Sequence, residues 1–304
     1  MKKILAILAL LVLAVSLTAC QPKTKSTFLV PSGSPALSQL YVQNDTDKYT
    51  VDVVSGPDPL VAAFGSATYD FIFAGTNLGA KFYESTGDYI YVASIVFGNF
   101  YLVTKSDTTF DLASLDGKDI TAFGANSTGD IVLRYILSEA GIDVNITYVD
   151  SVTTATSLFI ADNSLIILTA EPSLSVLLAT DPDLDVIDLQ SEYETLTGDS
   201  SYPQSGVFAK NTLGKATINA FLEDLEASVA AVNANPAAAA ELADALGYTY
   251  ADGVLETAIP NSHLDFVSAW DSKPAVETYF NIIMEINPAL IGGSLPPEAF
   301  YYQP

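Results

Sequence analysis

Residues 26–77, STFLVPSGSPALSQLYVQNDTDKYTVDVVSGPDPLVAAFGSATYDFIFAGTN, decide the fold. Residues 27–31 read as a short strand. Ser34 can then cap a helix whose first position suits Pro35, with Leu37, Leu40 and Tyr41 at helical spacing. Residues 49–54 alternate as a strand, Asp58-Pro59 opens a helix through about Gly65, and residues 71–74 form an apolar strand ending in Gly75-Thr76-Asn77. A helix over about 80–85 follows. The order β-α-β-α-β-α implies a parallel sheet with helices against it.

Downstream, residues 89–94 and 100–104 are aromatic, β-branched strands joined at Gly98-Asn99, suited to an antiparallel pair. The pattern then restarts. Leu115-Asp116-Gly117-Lys118 makes a turn before a strand at 119–123. Ser127 or Thr128 caps a helix that ends near Ala140, with Gly141 as its stop. Strands at 146–149, 165–168 and 185–189 complete a second α/β unit, with a helix after Thr169-Ala170-Glu171-Pro172. Residues 206–209 form one more strand. Beyond it the chain reads as helical over 213–233, 236–246 and 262–285, with Pro274 breaking or kinking the last.

The N-terminus predicts export. Lys2 and Lys3 precede an apolar stretch to Leu17, too short for a comfortable ~20-residue membrane span, and Leu17-Thr18-Ala19-Cys20 follows. Residues 1–19 therefore read as a secretory signal peptide, and Leu17-Thr18-Ala19-Cys20 resembles the bacterial lipobox. Cys20, the single cysteine, is the expected lipidation site. Residues 20–26 are the lipidated cysteine and its polar tether. More than one acyl chain is needed for stable anchoring, and a diacylated, N-acylated cysteine meets that need.

Without residues 1–19, 285 of the 304 residues remain, enough for one large domain or two medium ones. Loss of Lys2 and Lys3 moves the formal charge from −24 to −26. Such acidity, spread along the chain, leaves no basic footprint and excludes a nucleic-acid partner. His263 is the single histidine, so no Cys/His metal cluster is possible, and no Ser-His or Cys-His nucleophile pair has a convincing context. No EF-hand loop or P-loop is present. No metal, cofactor or catalytic residue is expected, and the chain is not expected to be an enzyme.

The chain resembles the substrate-binding lipoproteins of ABC importers, in the nitrate/sulfonate/taurine and thiamine-pyrimidine-precursor branch. The resemblance rests on the order of the lipobox, Gly33-Ser34-Pro35-Ala36, Ala74-Gly75-Thr76, Leu115-Asp116-Gly117-Lys118 and residues 124–128. Glu171-Pro172, Tyr202-Pro203-Gln204-Ser205-Gly206 and a tail with Asn287-Pro288, Gly292-Gly293, Leu295-Pro296 and Phe300-Tyr301-Tyr302 extend it over the whole chain. It implies an α/β, two-lobed type II periplasmic-binding-protein fold with two crossovers and a helical C-terminal segment. Lobe 1 takes residues 27–104 plus 206–304 and lobe 2 residues 105–205, with hinges near 104–107 and 203–206. The implied protein is a monomer on the outer face of the cytoplasmic membrane, or the periplasmic side if an outer membrane exists. It closes on a small-molecule ligand and passes it to an ABC permease.

In open α/β sheets ligands bind beyond the carboxyl ends of the strands. The expected ligand contacts are Ser32, Ser34, Thr76, Asn77, Asn99, Asn126, Ser127, Thr128 and Glu171 in strand-end loops, with Tyr202 and Gln204 at the return crossover. Plainer roles stay open: helix capping for Ser34 and Thr128, a turn for Asn77, an exposed first-turn charge or cap for Glu171, and packing for Tyr202. Arg134 reads as a surface or helix-pairing charge and His263 as structural. The loops lack Arg and Lys, and Phe97, Phe100, Phe123 and Tyr202 offer flat faces. The preferred ligand is therefore a neutral or cationic ring compound such as a vitamin precursor, the alternative a sulfonate- or nitrate-type anion held by helix N-termini. An enzyme on this fold, a ligand sensor for a membrane receptor and a non-transport surface lipoprotein are the rival readings.

Overall fold

The computed structural model describes residues 25–106 and 108–304; the leader, Cys20 and most of the tether lie outside the described residues. In chain order the first unit runs β1 (Ser26–Pro31), α1 (Ser34–Ser38), α2 (Leu40–Asn44), β2 (Tyr49–Val54), α3 (Asp58–Ser66), β3 (Phe71–Gly75) and α4 (Thr76–Thr86). Then come β4 (Tyr89–Phe97), β5 (Phe100–Thr104), β6 (Asp119–Phe123), α5 (Thr128–Ala140), β7 (Asn145–Val149) and α6 (Val152–Ala161). β8 (Ile166–Ala170), α7 (Ser173–Thr180), β9 (Asp185–Asp188) and α8 (Leu189–Thr197) follow. The last part is β10 (Pro203–Lys210), α9 (Lys215–Ala234), α10 (Pro236–Ala245), α11 (Val254–Asn261), β11 (Leu264–Ser268) and α12 (Ala269–Ile286).

The strands form a six-stranded sheet, β11-β4-β10-β3-β1-β2, and a five-stranded sheet, β7-β6-β8-β5-β9. β1 lies between β2 and β3 and parallel to both, with Phe28 opposite Val51 and Phe71. Phe28-Leu29-Val30 and Phe71-Ile72-Phe73-Ala74 are buried on both strand faces, which is why they read as unbroken apolar runs. β2 at the edge keeps only Tyr49 buried. In the second sheet β6 is parallel to β7 and β8, and β5 is antiparallel to β8 and β9. This is the expected two-lobed α/β architecture.

The chain passes between the sheets in two places that differ from expectation. β4 and β5 do not pair with each other. β4 is flanked by β10 and β11, β5 by β8 and β9, so both strands have full ladders already. Gly98-Asn99 is thus the first crossover, not a hairpin turn, and β5 belongs with the second sheet. The expected boundary after Thr104 and hinge at 104–107 do not hold. Lys105 N–H donates to the Asn163 carbonyl (3.0 Å), Ser106 N–H to Asp185 (3.0 Å), and the Lys105 ammonium pairs with Asp181 (2.9 Å), tying that segment to the second sheet's own loops. The return passage runs over 198–202, since Pro203 is already opposite Phe97.

The C-terminal part also departs from the all-helical reading. The expected helix over 262–285 is a strand followed by a helix: His263 takes a positive φ of 47°, and β11 pairs antiparallel with β4. α12 then continues through Pro274, which lacks one N–H. Buried Val276, Tyr279, Phe280 and Ile283 hold that helix against the core. α6 escaped the sequence reading because Val, Thr and Ile, weak helix formers, supply much of it. α8 escaped because it starts directly where β9 stops.

The core is continuous across the sheets. Phe221 of α9 stacks on Phe71 at a centroid distance of 3.9 Å and meets Phe28, Tyr49 and Phe73 edge-on, so the C-terminal helices return to close the first sheet. Within β5, Phe100 and Leu102 join this main core, while Tyr101 and Val103 face a smaller cluster with Phe159, Ile167, Leu174 and Leu177. That split follows the two-residue period of a strand.

Gly79 sits inside α4, where a Cβ would fall 2.0 Å from the Phe208 ring. In an exposed helix, Gly to Ala gains about 1 kcal/mol. Here overpacking reverses the sign, and Gly79→Ala is expected to lose about 1–3 kcal/mol. A lower urea midpoint checks this; a higher one would separate α4 from Phe208.

Candidate functional site

All six parallel strands, β1, β2, β3, β6, β7 and β8, send their carboxyl ends to one cavity of about 440 Å³ between the two sheets. That is an ordinary size for a small-molecule site. Ser32, Ser34, Asn77, Asn99, Asn126, Ser127, Thr128, Glu171 and Gln204 line it, as do the rings of Phe100 and Phe123.

Side chains bridge the lobes across this cavity. Ser34 donates from Oγ to the Glu171 carbonyl (3.1 Å) and accepts from Asn99 Nδ2 (2.6 Å). Asn99 N–H donates to Gln204 Oε1 (3.0 Å). On the other side Asn77 Nδ2 donates to the Asn126 carbonyl (3.2 Å), and Thr128 Oγ1 donates to the Gln204 carbonyl (3.2 Å). Gly33, at φ 97°, lets the β1 loop approach Glu171, whose carbonyl would lie 3.7 Å from a Cβ there.

Ser34 and Ser127 do not cap their helices. Gly33 is the residue before α1, and Ser127, before α5, makes no capping bond. Ser127 Oγ is buried without a partner, and the first N–H groups of α4 and α5 lack side-chain caps. Asn126 adopts φ 65° and is held there by its N–H bond to Asp130 (2.7 Å). Asp130 also accepts from Arg134 Nε and Nη2 (3.1 and 3.0 Å) and from the Tyr148 hydroxyl (2.7 Å). Arg134, expected as a surface or helix-pairing charge, is thereby committed within its own helix.

Glu171 is neither exposed nor free. It is 3% exposed, and its carboxylate accepts from Ser175 N–H (3.1 Å) and Oγ (3.0 Å), serving the start of α7. Burial pushes its carboxyl above the usual value, against the opposing effects of Ser175, the Asn261 side chain and His263. His263 reaches the Gly98 carbonyl through Nδ1, so it braces the first crossover.

Two expected contacts do not line the cavity. Thr76 Oγ1 is turned to the Pro203 carbonyl (2.8 Å). Tyr202 is fully buried beneath the site, packed on Phe100 (6.4 Å), Tyr193 (4.9 Å) and Tyr279 (6.0 Å). Conversely, Ser55-Gly56-Pro57-Asp58 after β2 and Asp150-Ser151 after β7 line it and were missed. The strand-end rule that selected the other loops applied to these two equally. Lys81, one turn beyond Asn77 on α4, also lines the cavity, so a cation is present although the loops carry none. Among the described residues no group of three or more His, Cys, Asp or Glu could hold a metal ion, and no helix is long and apolar enough to cross a membrane.

No protein-family model matches the chain, and no curated protein sequence matches it. Solved structures do. An ABC transporter from Parabacteroides distasonis superposes with a TM-score of 0.78 at 24% identity, covering 92% of this chain and 99% of that one. The periplasmic aliphatic sulphonate binding protein from Escherichia coli gives 0.70 at 17%, covering 93% of each. The alkanesulfonate-binding protein from Xanthomonas axonopodis pv. citri, bound to MOPS, gives 0.65 at 17%, covering 93% and 98%. These likenesses show the type II periplasmic-binding-protein fold.

The raised Glu171 carboxyl predicts a pH effect. The folded chain holds that proton to higher pH than the unfolded chain does. The stability this contributes is complete below the ordinary value of 4.5 and is lost as pH rises through the folded value. Relative to Glu171→Gln, which cannot titrate, the wild type should lose stability as pH rises from 4.5 toward neutrality. Urea midpoints of both proteins across that range check the sign; a constant gap would mean the carboxylate is not desolvated.

Proposed function

We propose that this chain is an extracytoplasmic solute-binding lipoprotein that captures a small organic molecule between its lobes and delivers it to an ABC permease. The observation that carries this reading is the interlobe cavity, fed by every parallel strand end and bridged by Ser34–Glu171 and Asn77–Asn126 bonds. Bonds of that kind hold a hinged pair of lobes closed. The fold shared with importer binding proteins supports the same reading. Catalysis is disfavoured because the one buried carboxylate at the site, Glu171, is engaged by Ser175. The chain acts as a monomer, anchored through lipid on Cys20 to the outer face of the cytoplasmic membrane.

The ligand reading favours a flat ring seated against Phe100 and Phe123, with its polar edge toward Asn99, Ser127 and Gln204. The cavity's carboxylates, Asp58, Asp150 and Glu171, outnumber Lys81 and favour a neutral or cationic compound such as a vitamin precursor. A sulfonate-type anion is the second reading. The uncapped start of α4, one turn before Lys81, favours it.

Thermal unfolding of the mature protein against pyrimidines, thiamine-like compounds, flavins, sulfonates, nitrate and amino acids tests capture. A ligand at 100 times its Kd adds ~2.7 kcal/mol, on the order of 5–10 °C for a chain of this size. One compound class giving such a shift without turnover is expected; no shift with any class would remove the capture reading.

Anchoring has its own test. Cys20→Ser should move the protein from the membrane fraction to the soluble fraction of intact cells and abolish labelling by a radioactive fatty acid. Unchanged fractionation would remove the lipid anchor.

A further inference from the structure

Hydrogen-bond direction at the first crossover and the start of β10 restricts the ligand further than charge does. The Glu171 carbonyl can only accept, so Ser34 gives its single proton there. Ser34 Oγ must therefore accept from Asn99, which places Asn99 Nδ2 toward Ser34 and leaves Oδ1 as the free end. Asn99 is 0% exposed, it lines the cavity, and Oδ1 has no partner. A buried acceptor without a partner is costly and calls for one.

The same logic orients Gln204. The Asn99 backbone N–H can only donate, so the Gln204 atom facing it is Oε1. Nε2 is then the outer end, a donor with no bond among the described residues. That bond joins the Asn99 backbone to the Gln204 side chain, so two linked residues at the cavity each keep one unpartnered group, an acceptor on Asn99 and a donor on Gln204. They stand on the first crossover and at the start of β10, between the lobes, with the Phe100 ring adjacent in sequence and lining the same cavity.

We infer that the ligand carries a neutral amide-type edge, an N–H beside a carbonyl or ring nitrogen, which pairs with Asn99 Oδ1 and Gln204 Nε2. This rests on the capture reading and names the ligand class of that same cavity. A carboxylate, sulfonate or nitrate has only acceptors and would set an oxygen lone pair against Asn99 Oδ1.

Four probes of one shape, benzamide, benzamidine, benzoate and benzenesulfonate, test it by calorimetric titration of the mature protein. In the wild type, benzamide should bind at least tenfold more tightly than each of the others. Gln204→Glu retains an oxygen for the Asn99 N–H and turns the neighbouring donor into an acceptor, so the pair should now prefer the two donors of benzamidine. Benzamide should weaken at least tenfold in that variant and the order of the two should invert.

Benzamidine strongest in both proteins would mean that the surrounding carboxylates decide, and would overturn the inference. So would tighter binding of benzoate or benzenesulfonate, or an unchanged order in the variant. Binding of none of the four probes would overturn it too, while a thermal shift with another compound class would leave the capture reading standing. Normal unfolding of Gln204→Glu in the absence of probe separates a change of preference from a damaged fold.

Discussion

Ser34 has one hydroxyl proton, and much of the arrangement around the cavity follows from where it goes. Glu171 is on the second lobe, Ser34 on the first, and Asn99 on the passage between them. Giving the proton to Glu171 makes Ser34 an acceptor for Asn99. This fixes the Asn99 amide, and the Asn99 backbone N–H in turn fixes Gln204 at the start of β10. Each bond alone contributes only ~0.5–1.5 kcal/mol net. Their value lies in direction: reversing one amide would leave two neighbours facing like groups. The Gly33 backbone, at φ 97°, brings the β1 loop close enough for the chain to form.

Electrostatics at the cavity are shaped by carboxylates placed on the very helix starts that would otherwise attract anions. Asp58 sits in the first turn of α3 and Asp130 in the first turn of α5. An acid there offsets the partial positive charge of the helix end. Asp130 is in turn matched by Arg134, so its main local effect is to hold the Asn126 backbone in its left-handed conformation. The start of α4 has no such acid and lies near Lys81. The cavity is thus polarised, with uncapped donors on one side and carboxylates toward Asp58 and Asp150 on the other.

Local order was legible in the sequence, and partnership between distant strands was not. Strand 71–75 with its buried run, the stop of α5 at Gly141 and the alanine-rich α10 after Pro236 all obey local rules. Gly98-Asn99 defeated them because a two-residue connection between aromatic strands is the signature of a hairpin. Only the ladders of β10, β11, β8 and β9 show that it is a crossover. The same limit applies at the site. Strand-end position pointed to Ser34, Asn77 and Asn126, and the return crossover to Gln204, all of which line the cavity, yet position alone could not tell that the Thr76 hydroxyl faces Pro203 or that Tyr202 lies below the floor. Those outcomes depend on which side of a turn a side chain leaves. Lys81 is a further case, legible only once Asn77 is placed in the first turn of a helix.

The two lobes touch across the cavity mainly through polar bonds, while their apolar contact sits behind it, where Phe100, Tyr202 and Tyr279 pack at the crossovers. This division suits a hinge. The apolar packing behind the cavity can stay buried in open and closed states, and the bonds broken on opening, Ser34 to Glu171 and Asn77 to Asn126, are ones that water can replace. If the lobes open as proposed, a ligand that contacts both of them shifts that equilibrium by its differential affinity for the closed form.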